Sequence, residues 1–117
     1  MSNTDIVTLK QRLRKFAEAR DWNQSHSPKN LSMALSVEVS EIVEHFQWVT
    51  EEQSNNLSKD KLAEVEAELA DTLIYLTRRA DKLDIDLLQA AADKINHNEI
   101  KYPADTVRGS AKKYTEY

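Results

Sequence analysis

The chain has 117 residues, room for one domain around a single modest core. It has no cysteine, which excludes disulfides and thiolate chemistry, and its formal charge of −4 argues against a dedicated binder of nucleic-acid polymers while leaving room for a nucleotide that brings its own metal. Hydrophobic residues make up 40% and charged residues 31%, the balance of a soluble helical protein, and no apolar run approaches the roughly 20 residues that would span a bilayer.

Gly109 is the one glycine, and Pro28 and Pro103 are the two prolines. So few breakers predict long uninterrupted helices and no hairpins. Residues 1–15 are polar with scattered apolar positions, so no signal peptide is expected and a cytoplasmic location is. Thr4 or Asp5 can cap a first helix over residues 5–20, with Ile6, Leu9, Leu13, Phe16 and Ala17 facing inward. Residues 20–30, RDWNQSHSPKN, read as a polar loop carrying Trp22 and His26. A tryptophan in a polar loop docks onto something. Here it is either a lid over the protein's own core or a stacking surface for a planar ligand.

Ser27 and Pro28 form an N-cap and first-turn pair for a second helix that runs to Trp48. Leu31, Leu35, Ile42 and Phe46 make its apolar stripe. Glu38 falls inside or at the edge of that stripe, Glu41 lies one turn on, and His45 follows on the same side. A carboxylate where leucine belongs calls for a compensating cation, because stripping its hydration is costly. A glutamate that reaches water, or pairs with a lysine of another helix, would satisfy the same pattern.

Residues 49–58 are a polar connection in which Thr50 and Gln53 fit a capping box. Ser58 can cap a third helix over residues 59–83, with Leu62, Val65, Leu69, Leu73, Leu76, Ala80 and Leu83 on its inner stripe. Glu64, Glu68, Asp71 and Tyr75 run along one flank. Two acidic pairs, Glu38-x-x-Glu41 and Glu68-x-x-Asp71, therefore sit on two helices. If those helices pack antiparallel, four carboxylates converge beside the core and repel one another unless divalent cations occupy the site. Hard oxygen ligands suit Mg²⁺ or Mn²⁺.

Asp86 with Gln89 marks the start of a fourth helix, whose inner stripe is Leu88, Ala91, Ala92 and Ile95. Lys94, Asn98 and Lys101 lie together beside that stripe, a set that suits phosphate oxygens or an ordinary solvated face. Pro103 ends the helix, and residues 104–117, with Arg108, Lys112 and Lys113, are expected to form a polar tail, extended or loosely docked. The expected fold is an all-α bundle of four main helices over residues 1–103. Helices this long in so short a chain leave apolar surface over, which predicts a homo-oligomer.

The acidic pattern, with 26 residues between Glu41 and Glu68, resembles the signature of the MazG-like superfamily of all-α nucleoside triphosphate pyrophosphohydrolases. RDWNQSHSPKN at 20–30, LSMALSVEVSE at 31–41, FQW at 46–48, ELADTLIYL at 68–76, KINHNEIKYP at 94–103 and RGSAKKYT at 108–115 are most similar to its dCTP pyrophosphatase branch. The resemblance implies hydrolysis of a (deoxy)nucleoside triphosphate, dCTP or a 5-modified dCTP, to the monophosphate and pyrophosphate, in house-cleaning of the nucleotide pool. It implies Glu38, Glu41, Glu68 and Asp71 as Mg²⁺ ligands and catalytic groups, with Mn²⁺ as a substitute. Trp22, Asn23, Gln24, Ser25 and His26, with Trp48 and Tyr75, would hold the base. Lys94, Asn98 and Lys101 would meet the phosphates, across a subunit boundary of a dimer or a dimer of dimers. The chain departs from some dCTP-type relatives in carrying Leu13 where they have a histidine, which puts nucleotide preference in doubt.

Two other readings fit parts of the pattern. A di-iron bundle wants Glu-x-x-His pairs on two helices, but His45 follows Glu41 by four and the third helix has no histidine. A non-catalytic helical interaction module explains the stripes and the acidic faces. It does not explain why acidic pairs, tryptophans and a cationic face coexist.

Overall fold

The structure, a computed structural model, describes residues 5–109; the alternative cap Thr4 and the tail lysines Lys112 and Lys113 lie outside the described residues. Six helices follow one another, α1 (Ile6–Ala19), α2 (Pro28–Phe46), α3 (Glu51–Ser54), α4 (Lys59–Lys82), α5 (Leu87–Lys101) and α6 (Ala104–Val107). No strand is found among the described residues, and the four long helices are the four expected from periodicity. None is long and apolar enough to cross a membrane.

The helix starts are set by local chemistry. Asp5 accepts from the Thr8 N–H at 2.8 Å, which also holds its carboxyl below the usual range. Ser27 caps α2 through the Asn30 N–H, with Pro28 opening the first turn. Thr50 and Gln53 exchange both bonds of a capping box, at 2.9 and 3.1 Å. Ser58 and Asp86 cap α4 and α5. The second helix stops at Phe46, two residues short of its expected end, so Gln47 and Trp48 stand outside it. The expected extended tail opens with the single helical turn of α6.

The chain divides into two compact units, residues 1–84 and 85–117. In the first, α4 is the hub: α2 packs along it, and α1 packs on it too. His45 lies beside Lys61 and Glu64, while Glu38 feels Glu68 and Asp71, so α2 and α4 run antiparallel. Leu31, Ala17, Val65 and Ala80 are the buried apolar centre. The expected inner stripes are only partly inside. Phe16 of α1 and Leu62, Leu69, Leu73 and Leu83 of α4 are exposed. Buried among α4's side chains are Thr77 and Arg78 instead. Periodicity assigned the leucines correctly to one side of the helix, but α1 and α2 cover only its neighbouring flank. In the second unit Leu88, Ala91, Ala92 and Ile95 are likewise exposed, because a helix and one further turn cannot cover an apolar stripe of that length.

Candidate metal centre and recognition cavity

Glu38 and Glu41 sit three residues apart on α2, which places both on one face. Antiparallel packing brings Glu68 of α4 opposite them. One carboxylate oxygen from each of the three lies within 4.8 Å of the others, and all three residues are half-buried. Glu38 Oε2 and Glu68 Oε2 are buried without a hydrogen-bond partner. Within residues 5–84 no lysine or arginine lies within ion-pair distance of Glu38 or Glu41. Burial pushes the Glu38 carboxyl up to about 7, helped by Glu41 and then by Asp71 and Glu68. Glu68 is raised as well, chiefly by its contact with Glu41.

Orphaned buried oxygens and crowded carboxylates fit a divalent cation that takes oxygen ligands. At the cluster's edge, Lys61 Nζ donates to His45 Nδ1 at 3.1 Å, and His45 Nε2 stands 4.0 Å from Glu68 Oε1. Asp71, the fourth predicted ligand, is exposed one turn beyond Glu68. It stands outside the trio, yet close enough to raise Glu38, and it lines the neighbouring cavity.

That cavity, of about 800 Å³, lies between α1, α4 and the loop 20–27. Leu9, Leu13 and Ile74 give it an apolar floor, and Phe16, Trp22 and Tyr75 give it aromatic walls. Large apolar clefts with a few convergent polar groups are the usual form of a small-molecule site. The polar groups here are Asp71 toward the carboxylates, His26 and Arg78 on the loop side, and the cations Arg12, Lys15 and Arg20 of the first helix and its end.

The end of α1 decides where Trp22 goes. Asp21 takes a left-handed φ of 53°, its N–H bonds Glu18, and the Trp22 N–H bonds Ala17. This Schellman closure sets residue 22 back over the last turn, with the Trp22 ring edge-on to Phe16 at 5.6 Å. Gln24 donates to the Asp21 carbonyl, and Ser25 Oγ to the Trp22 carbonyl, so these two predicted site residues close the loop itself. Asn23 accepts from Arg78, and His26 Nδ1 accepts from Arg78 Nε at 3.4 Å. Burial, then Arg78, lowers the His26 pKa.

Arg78 is the residue that sequence reading missed. Its only sequence signal was a cation one turn beyond Tyr75, on the side of the third helix opposite its inner stripe. Trp48, 87% exposed beyond the end of α2, does not line this cavity. Lys94, Asn98 and Lys101 lie along α5, spaced four and three apart; Lys94 is exposed, and the Lys101 ammonium stands 5.7 Å from the centre of the Tyr102 ring.

Residues 33–117 match the MazG-like family. The chain is 42% identical to dCTP pyrophosphatase 1 of Homo sapiens over 104 residues, covering 87% of this chain and 61% of that one. It is 43% identical to dCTP pyrophosphatase 1 of Bos taurus, again over 87% of this chain and 62% of the relative. It thus spans somewhat under two thirds of the length of these curated relatives. Among solved structures, a pyrophosphatase from Archaeoglobus fulgidus DSM 4304 superposes with a TM-score of 0.81 at 36% identity, over 88% of this chain and 96% of that one. The acidic pattern read from the sequence, the all-α framework that draws three of its carboxylates together, and these matches over most of its length agree: the chain belongs to the MazG-like family, and is similar within it to dCTP pyrophosphatases.

Proposed function

We propose that this protein is a Mg²⁺-dependent nucleoside triphosphate pyrophosphohydrolase that converts a (deoxy)nucleoside triphosphate, dCTP or a 5-modified dCTP, to the monophosphate and pyrophosphate. The carrying observation is the trio Glu38, Glu41 and Glu68, with two orphaned buried oxygens, beside an aromatic-walled cavity that Asp71 lines. The similarity to dCTP pyrophosphatase 1 supplies the substrate in this reading.

Glu38, Glu41, Glu68 and Asp71 hold the cation, with Mn²⁺ as a substitute. The chemistry a divalent cation supplies when bound is neutralisation of triphosphate charge and acidification of the attacking water. Glu38 combines the most apolar setting with a raised proton affinity, which suits an inner ligand or the general base. Trp22 and Tyr75 stack on the base, while His26 and the loop 20–27 meet its polar edge. Leu13 offers that edge no hydrogen bond, and an apolar floor tolerates a 5-substituent. Trp48 is a further stacking surface, and Lys94, Asn98 and Lys101 meet the phosphates. The exposed leucine stripe on α4 supports a homo-oligomer, a dimer or a dimer of dimers. House-cleaning of the nucleotide pool is the cellular role this implies.

The test is chromatographic product analysis with a panel of canonical and 5-modified nucleoside triphosphates, with Mg²⁺ and with chelator. Mg²⁺-dependent appearance of monophosphate and pyrophosphate in equal amounts is expected, with cytosine nucleotides leading. Survival of every nucleotide in the presence of Mg²⁺ and folded protein would refute the assignment.

A further inference from the structure

Arg78 is only 5% exposed, and a buried guanidinium persists only where it is paired and hydrogen-bonded. Its partners come from one neighbouring turn and from a distant loop. Asp81 Oδ2 lies 3.7 Å from one terminal nitrogen, Asn23 Oδ1 accepts from the other, and His26 Nδ1 accepts from Nε. Asp81 is gripped from its far side by Arg14 of α1, at 2.7 and 2.5 Å. One continuous polar chain thus joins α1, α4 and the loop that carries Trp22.

A guanidinium has no acceptor and does not lose its proton in proteins. In the contact with Arg78, the His26 ring must therefore accept at Nδ1. The proton of the neutral ring then resides on Nε2. His26 lines the recognition cavity, and the nitrogen that Arg78 leaves unused, Nε2, is a donor and not an acceptor.

We propose that Arg78 is a positioning residue for the recognition cavity, locking His26 in its Nε2–H form and strapping the loop 20–27 to α4, so that the cavity selects planar ligands with an acceptor edge. The carbonyl and ring-nitrogen edge of a pyrimidine has that chemistry. The choice of ligand rests on the nucleotide reading above; the tautomer and the strap do not.

Two measurements test this. Proton–nitrogen NMR of the imidazole nitrogens at pH 8, with His26 assigned through His26→Gln, should show the Nε2–H pattern in the wild type and a tautomer mixture in Arg78→Met. A mixed or Nδ1–H pattern in the wild type, or an unchanged Nε2–H pattern in Arg78→Met, would overturn the lock. Trp48→Phe leaves Trp22 as the sole tryptophan, so its quenching by acrylamide reports the loop. Asn23→Ala removes one acceptor on the loop and leaves Arg78 its Asp81 and His26 contacts, so it tests the strap even where Arg78→Met does not fold. It should raise that quenching, and unchanged quenching would overturn the strap. In turnover, Arg78→Met should raise KM roughly 10-fold or more while kcat stays within about threefold, the loss expected for a charge-assisted bond that acts on binding. A fall in kcat alone would count against positioning. A wild type that turns over no nucleotide would refute the nucleotide reading and leave the NMR and quenching results standing on their own.

Discussion

The Trp22 N–H bonds the Ala17 carbonyl at 2.9 Å, across the end of α1. That bond closes the helix and at the same time lays the indole against Phe16, so helix termination and the building of an aromatic wall are one event. The closure needs a left-handed residue at position 21, where glycine is the usual choice and this chain has aspartate. Asp21→Gly should therefore raise stability, by up to about 1 kcal/mol, since a side chain in that region is penalised. Denaturant melts would show the gain, and a loss would mean that the Gln24 contact with the Asp21 side chain outweighs the backbone term.

Glu38→Gln should abolish turnover, by more than about 100-fold given that even outer-shell changes at metal sites cost 10–100-fold. It should do so without unfolding the protein. The amide removes one charge from a crowded trio, so the metal-free variant should melt at or above the wild-type temperature. Added Mg²⁺ should stabilise the wild type, by about 2.7 kcal/mol at a hundredfold excess over Kd, and the variant much less. Calorimetry with and without chelator separates these outcomes, and near-normal turnover would remove Glu38 from the machinery.

Asp81 gives the fold an acid limit. Its pKa is lowered, chiefly by the bonds from Arg14, so the folded form holds the charged carboxylate more tightly than the unfolded chain does. The contribution is complete above the unfolded value near 4 and is lost as pH falls through the lowered folded value. Asp81→Asn should lower the thermal midpoint at pH 7, and the gap to wild type should close below about pH 4. A gap that stays constant down to pH 2 would show that the pair adds packing and no charge stabilisation.

Leu62, Leu69 and Leu73 form a narrow exposed stripe on α4. Leu62→Glu places a charge on it away from the carboxylate trio. Sedimentation should show the wild type as a dimer or larger, and the variant shifted to monomer with its helical content kept. An unshifted variant would place the assembly interface elsewhere.

Much of this architecture was legible because it is local. A serine before a proline and a threonine three residues before a glutamine each act within one turn and stand where the sequence put them, and of the two acidic pairs at helical spacing three carboxylates converge. What was not legible depends on partners far along the chain. Arg78 is held by residues 52 and 55 positions earlier, and Asp81 by one 67 positions earlier. Nothing within a turn of Arg78 marks it as buried. The leucine stripe failed for the converse reason: periodicity says which side chains share a direction, while the cover on that side is a matter of what packs there. The second helix ends at Phe46 and not at Trp48, because a helix end is also set by what packs on its last turn.

Both halves of the site hang on α4. Glu68 belongs to the carboxylate trio, Asp71 lines the cavity next to it, and Tyr75 and Arg78 line the recognition end. Ten residues of helix separate the first from the last, about 15 Å at 1.5 Å per residue. The helix is thus a fixed gauge for the ligand, since a rigid rod cannot shorten to suit a smaller molecule. One residue inserted between Leu69 and Ile74 would turn the recognition end by about 100° relative to the carboxylates, leaving both ends intact and unable to hold one molecule together.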